Sequence, residues 1–350
     1  VIRNERYVPG SRVREHVADV FVPDLPGPLP IVLYVHGGAF IHLSKDSHYI
    51  LARSYARRGY LVFNISYRLA PKHPFPAAVE DVAAAYRWVV RWAAEEFGGD
   101  LSRLVLAGES AGANLVTALT MATVYERPEP FAQRVYETGV VPSAVVPACG
   151  VFQVSDTMRM VRRKRGRLDA FVRWTLRRME RCYLGLSRVE SATVLDFADP
   201  LLWLERGEAP DRPLPPFFLP VGTRDPLLDD TRRLHAALEA LGGTSEARYY
   251  PGEIHAFHAM LFREAARRCW RDTFGFLEAH LNAPEPGSPN RPRVHSGRRP
   301  RASAAARPRA HAPSRPRGPA ASALVGDPGG LPRGAPPAAD DPHSGDAGHH

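Results

Sequence analysis

Cysteine is scarce in this chain: three in 350 residues, at Cys149, Cys182 and Cys269, odd in number and far apart. No CxxC occurs and no Cys/His spacing suits a metal. That argues against a disulfide scaffold or a zinc module and fits a reduced, cytoplasmic setting. No apolar run is long enough to span a bilayer, and no basic stretch followed by an apolar one opens the chain as a secretory signal would. The chain begins with Val1, which leaves room for residues ahead of it. From Asn282 to His350 there is no Phe, Tyr, Trp, Ile, Met, Cys or Lys, while Pro, Arg, Ala and Gly dominate. Such a segment cannot bury enough apolar surface to offset chain entropy, and residues 282–350 are predicted to be a disordered tail. Ten arginines against five acids give this tail a formal +5, more than half of the +9 of the whole chain. The region ahead of it is therefore only mildly basic. A single-strand nucleic-acid binder interleaves aromatics for stacking; the tail has none, so no specific nucleic-acid partner is expected.

What the rest of the chain has is an alternation of short apolar runs with helical patterns. Strand-like stretches at Ile31–Val35, Leu104–Ala107, Phe217–Gly222 and Ala247–Tyr250 alternate with helical ones at Ser47–Arg58, Ala77–Glu96, Ser110–Val124, Asp230–Leu241 and Phe262–His280. Gly59, Gly98-Gly99 and Gly242-Gly243 close three of these helices. The pattern predicts one α/β domain over residues 1–281, a doubly wound and mostly parallel sheet. Residues 13–22 read as strand. From about Gln153 to Arg212 the rhythm breaks. A basic run (Arg159, Arg162, Arg163, Lys164, Arg165, Arg167) precedes a helical pattern with apolar Phe171, Trp174, Leu176, Met179 and Tyr183. This insertion is expected to be a helical lid; an amphipathic helix with a solvated arginine face, or a membrane-surface helix, are the other readings.

The most informative stretch is Gly108-Glu109-Ser110-Ala111-Gly112, between a buried strand and a helix. A bare G-x-S-x-G arises by chance in roughly one chain in ten of this length. In a strand–turn–helix context it reads as a nucleophile elbow, a tight turn that lifts the serine hydroxyl above the sheet edge. Upstream, a strand runs into His36-Gly37-Gly38-Ala39-Phe40, a turn whose free amides can face an anion. Downstream come Asp225-Pro226-Leu227 and then His255-Ala256-Phe257, each just past a strand. Serine, acid, histidine is the chain order of α/β-hydrolases. The chemistry needs that set: a serine hydroxyl is a poor nucleophile until a histidine takes its proton, and an acid fixes the histidine's tautomer and charge.

Two roles have rivals. Asp199-Pro200-Leu201 repeats the Asp-Pro-Leu signature, and His258 lies one turn beyond His255. Asp229 and Asp230 read as charges at a helix N-terminus. Glu109 reads as a carboxylate that hydrogen-bonds local backbone or pairs with a cation, His36 as a turn-stabilising histidine, His235 as an exposed or packed helix residue and Lys72 as a solvated loop lysine.

Taken together, the segments from about Val32 to Leu281 resemble the bacterial hormone-sensitive-lipase-like esterases of the α/β-hydrolase fold, closest to acetylesterase-like members. The resemblance rests on His36-Gly37-Gly38, Tyr67-Arg68-Leu69-Ala70-Pro71 with Pro74-Phe75-Pro76-Ala77-Ala78 and Glu80-Asp81, the elbow, Asp225-Pro226-Leu227 and His255-Ala256-Phe257. It implies a Ser110, Asp225, His255 triad and an oxyanion hole from the amides of Gly37, Gly38, Ala39 and Ala111. It also implies cofactor-free and metal-free hydrolysis of small-molecule esters with short acyl chains, and, in some members, homodimers paired through the last strand and helix. Two departures stand out. Ala39 replaces the family's third glycine and resists positive φ, which predicts a slightly shifted hole. The segment ahead of the His-Gly-Gly turn is shorter than usual and reads as strands, not lid helices. Phe40, Trp174 and Trp203 are the expected pocket aromatics, though aromatics at such positions are as often core. An amidase or peptidase on the same triad, and a non-catalytic binding protein of this fold, are the competing functions.

Overall fold

The computed structural model describes residues 1–163, 169–185 and 194–281. Lys164, Arg165 and Arg167 and the tail from Asn282 lie outside the described residues. The strands are β1 Ile2–Arg6, β2 Val17–Phe21, β3 Leu29–Val35, β4 Leu61–Ile65, β5 Gly99–Glu109, β6 Ala144–Ala148, β7 Phe217–Gly222 and β8 Ser245–Tyr250. They form one sheet in the order β1-β2-β4-β3-β5-β6-β7-β8. The β1–β2 and β2–β4 pairs are antiparallel, and every pair from β4 onward is parallel.

The helices are α1 Tyr49–Ala56, α2 Ala77–Phe97, α3 Ala111–Val124, α4 Pro130–Tyr136, α5 Met158–Arg163, α6 Ala170–Leu184, α7 Pro200–Glu205, α8 Leu228–Ala240 and α9 Glu264–Leu281. Six, α6 among them, lie where the periodicity predicts them; α4 is too short to announce itself. Ile31, Leu33, Leu104 and Leu106 pack on the α2 and α3 side, while Val32, Tyr34, Val105 and Ala107 pack against α1 and α9. Burial on both faces is why these strands read as continuous apolar runs and not as alternating ones.

From β3 the chain steps to β4 on one side, then returns through α2 to β5 on the other. The winding direction reverses between β3 and β5, and the crevice beyond their C-terminal ends is where this architecture holds ligands. The loop that leaves β3 is moored to the antiparallel edge. Lys45 Nζ lies 2.8 Å from Asp19 of β2, with both side chains buried. Its backbone is held too, by Asn64 Nδ2 donating to the Lys45 carbonyl at 2.8 Å.

The insertion divides in two. α7 belongs to the core, with Leu201, Trp203 and Leu204 buried, so the expected lid does not extend to Arg212. The α5 end is fixed by Arg159, whose guanidinium reaches the buried Asp230 of α8. Asp230 also accepts the Phe152 amide at 2.9 Å. It is thus an anchor for the insertion and not merely a helix-end charge; Asp229 keeps the helix-end role, half-buried and 3.5 Å from both Arg163 and Arg232.

Candidate active site

Ser110 sits between β5 and α3 with φ 53° and ψ −113°, a conformation that costs a non-glycine residue about 1–3 kcal/mol and marks functional turns. The geometry demands glycine nearby. A Cβ at Gly112 would stand 2.1 Å from the Val35 carbonyl oxygen, so only glycine lets α3 lie this close to β3. The Ser110 amide is fixed by donation to the Ala148 carbonyl at 2.9 Å.

Three loop ends meet at this point. His255 Nε2 is 3.0 Å from Ser110 Oγ, and His255 Nδ1 is 2.9 Å from Asp225 Oδ2. Asp225 is fully buried, and its other oxygen accepts the Leu227 amide at 2.8 Å. The Arg224 amide donates to the Glu253 carbonyl at 2.9 Å, which ties the acid's turn to the histidine's loop. Burial by itself would lower the His255 pKa; the Asp225 carboxylate facing Nδ1 outweighs it and holds the ring well above an ordinary histidine. Burial pushes the Cys149 thiol up, so the neighbouring thiol is uncharged at neutral pH. Cys149, Asp225 and His255 are also the one group among the described residues whose donor atoms, within 4.8 Å of one another, could hold an ion. Here the Asp225 and His255 atoms are taken by their mutual hydrogen bond.

The sequence rivals for these roles go elsewhere. The Asp199 carboxylate accepts the amides of Val154 and Ser155, which makes it a loop clasp. His258 Nε2 lies 2.8 Å from Glu109 Oε2.

Facing Ser110 across the crevice is the turn after β3. The amides of Gly38 and Ala39 donate to no protein acceptor among the described residues, and neither does that of Ala111 at the first turn of α3. Three free donors around one hydroxyl can stabilise an oxyanion. The Gly37 amide lies 3.3 Å from His48 Nε2, the nitrogen that donates to Glu109 Oε1. Ala39 takes φ 54° despite its Cβ, so the turn keeps the geometry that a third glycine would give at no strain. His36 is buried, donates from Nδ1 to the Gly37 carbonyl at 2.7 Å and stacks on Tyr67. Its pKa falls to about 3 because of burial, so it is a neutral brace.

A family model of the α/β-hydrolase fold matches residues 32–259. This chain belongs to the α/β-hydrolases. It is 33% identical over 236 residues to the carboxylesterase NlhH of Mycobacterium tuberculosis, covering 65% of this chain and 66% of that protein. The match thus spans just under two thirds of the relative's length. Among solved structures it is similar to a bacterial heroin esterase, with a TM-score of 0.62 and 26% identity over 76% of this chain and 80% of that one. It is also similar to an esterase of the bacterial hormone-sensitive lipase family, with a TM-score of 0.57 and 26% identity over 72% and 77% of the two chains.

In this α/β-hydrolase the crevice opens into a cavity of about 790 Å³, within the range of small-molecule sites. Ser110, His255, Gly38 and Ala39 form its floor, and α6 supplies an apolar wall through Phe171, Val172, Leu176 and Met179. The three expected pocket aromatics are not in it. Phe40 is buried in the core, stacked on Tyr183 at 3.7 Å between ring centroids. Trp203 is buried beside Tyr125 and Phe197, under the Arg127 guanidinium. Trp174 lies on α6, but on the side that faces a second cavity with Arg177, Arg178 and Arg181. The helical period explains the miss: Phe171 and Thr175 share a face, and Trp174 falls beside it.

Sequence reasoning also missed what Glu109 does. Its Oε1 is 2.7 Å from His48 Nε2 and its Oε2 is 2.8 Å from His258 Nε2, all three side chains being buried. Burial would raise its pKa; the two histidines outweigh that and hold the carboxyl well below the usual range. The cluster joins the elbow to the turn after β3 on one side and to the His255 loop on the other. Its members are distant in the chain, so no local spacing could disclose it.

Proposed function

We propose that this α/β-hydrolase is a serine carboxylesterase, with residues 1–281 as its catalytic domain, and that it cleaves short-chain carboxylic esters (acyl groups of about C2 to C8, by likeness to the family) without metal or cofactor. Ser110 attacks the ester carbonyl as His255 takes its proton through Nε2. Asp225 keeps the ring in the tautomer that can do so and balances its charge. The amides of Gly38, Ala39 and Ala111 receive the developing oxyanion. His255 then returns the proton to the departing alcohol, and water, activated in the same way, releases the acid from Ser110.

The observation that carries the reading is the unbroken relay from Ser110 Oγ to His255 to Asp225 at 3.0 and 2.9 Å, placed at the floor of an apolar cavity. The esterase names of the similar proteins favour esters over amides. The three free cysteines favour a reducing compartment, consistent with the cytoplasm. No described helix is long and apolar enough to cross a membrane.

Hydrolysis of p-nitrophenyl butyrate by wild type and Ser110→Ala tests the proposal, with a matched anilide alongside. Turnover that falls by about 10⁴-fold or more in the variant, with the anilide much slower, is the expected result. Equal rates in the two proteins would remove Ser110 from the mechanism, and a faster anilide would make the protein an amidase.

A further inference from the structure

The wall of the cavity carries one charge that the mechanism does not use. Its acids are committed: Glu109 lies between His48 and His258, and Asp225 behind the wall faces His255. Arg224 also lines the cavity, is exposed, and has no carboxylate within ion-pair reach among the described residues. Its backbone is pinned to the Glu253 carbonyl at 2.9 Å and it immediately precedes Asp225. The origin of its side chain is therefore set by the same turn that sets the acid. The rest of the lining is dominated by hydrocarbon, from Leu43, Val151, Leu176, Met179, Leu227 and Ile254.

A guanidinium on an apolar wall is a selective environment. Hydrocarbon gains by leaving water there, and the planar fork matches a carboxylate, pairing two N–H donors with two oxygens. An ester with an alkyl chain alone uses only the first of these. We propose that the preferred substrates of this site carry a second, ionised carboxylate, on either the acyl or the alcohol side of the scissile ester, and that Arg224 binds it. This rests on the esterase reading of the same cavity. It concerns which esters are chosen, not how the bond is broken.

The test compares matched substrates. On the acyl side these are p-nitrophenyl hexanoate and the p-nitrophenyl monoester of adipic acid, in which a carboxylate stands where hexanoate has its terminal methyl. On the alcohol side they are the hexanoate esters of pentanol and of 5-hydroxypentanoic acid. The readout is the ratio of kcat/KM, anionic over neutral, in wild type, Arg224→Lys and Arg224→Gln; any general effect of a substitution cancels in it. In at least one arm the ratio is expected to fall by about 10- to 100-fold in Arg224→Gln, with Arg224→Lys between. A ratio unchanged by both substitutions in both arms overturns the proposal. If wild type cleaves neither ester, the esterase reading fails on its own account. The carboxylate site is then read from binding of monomethyl adipate against methyl hexanoate to the Ser110→Ala protein, with and without Arg224→Gln; equal binding of the two overturns it.

Discussion

The crest of the sheet and the insertion above it hold their shapes by different means. At the crest, Ala39, Phe40, Ser110, Cys149 and Ala256 all adopt positive φ without being glycine, and buried polar groups such as Glu109 and Asp225 are each clamped by two partners. In the insertion, α5 and α6 are ordinary helices. α6 buries Leu176, Met179 and Tyr183 but leaves Phe171 and Trp174 70% and 53% exposed, and α5 is held by the buried Met160 and the Arg159–Asp230 pair. Reaction chemistry needs atoms fixed to within fractions of an ångström, which favours strained turns set in a rigid sheet. Choice of substrate needs only a wall of suitable shape, which a helix packed along one face can supply.

That contrast can be broken most forcefully at Asp225. Asp225→Asn is expected to lower kcat for p-nitrophenyl butyrate by about 10⁴-fold with the fold intact by circular dichroism, whereas Asp199→Asn changes it by only a few-fold. A pH profile sharpens the point. Because the His255 pKa is raised, the ring is protonated and unable to act as base until pH climbs through that value. The acid limb of kcat/KM should therefore have its midpoint above 6.5.

Next in size is Glu109→Gln, which puts a neutral amide in place of the carboxylate between two buried histidines. A loss of about 3 kcal/mol in urea denaturation is expected, together with a lower kcat, because the oxyanion turn and the His255 loop share that anchor. Asp230→Asn strands the Arg159 guanidinium and should cost a comparable or slightly smaller amount. Being an anchor of the insertion, it should raise KM more than it lowers kcat; the reverse split would place the insertion in the chemistry. The smallest effects separate the two faces of α6. Met179→Trp should shift preference toward shorter acyl chains in a p-nitrophenyl ester series, while Trp174→Ala should leave the series unchanged.

The relay was legible in the sequence because each of its residues follows a strand and sits in a local motif that backbone geometry enforces. Ser110 needs the glycines around it, and Asp225 and His255 each occupy a short turn just past a strand. The doubly wound sheet was legible for a related reason: strands buried on both faces leave unbroken apolar runs. The cavity wall was not. Phe40, Trp174 and Trp203 are large and aromatic, and composition alone does not say whether such a side chain faces a cavity, the core or solvent. The His48–Glu109–His258 cluster depends on three loops meeting, a property of the whole topology.

The family match begins at residue 32, and by that measure the first two strands are dispensable ornament. The buried Lys45–Asp19 pair says otherwise. Residues 36–48 form a span of irregular chain slung between β3 and α1, and one of its moorings is a carboxylate on β2. Trimming the gene to the matched core would cut that line. A chain so trimmed would lack two of the eight strands of the sheet and would leave the turn after β3 slack, a fault felt at the site, far from the deletion that caused it.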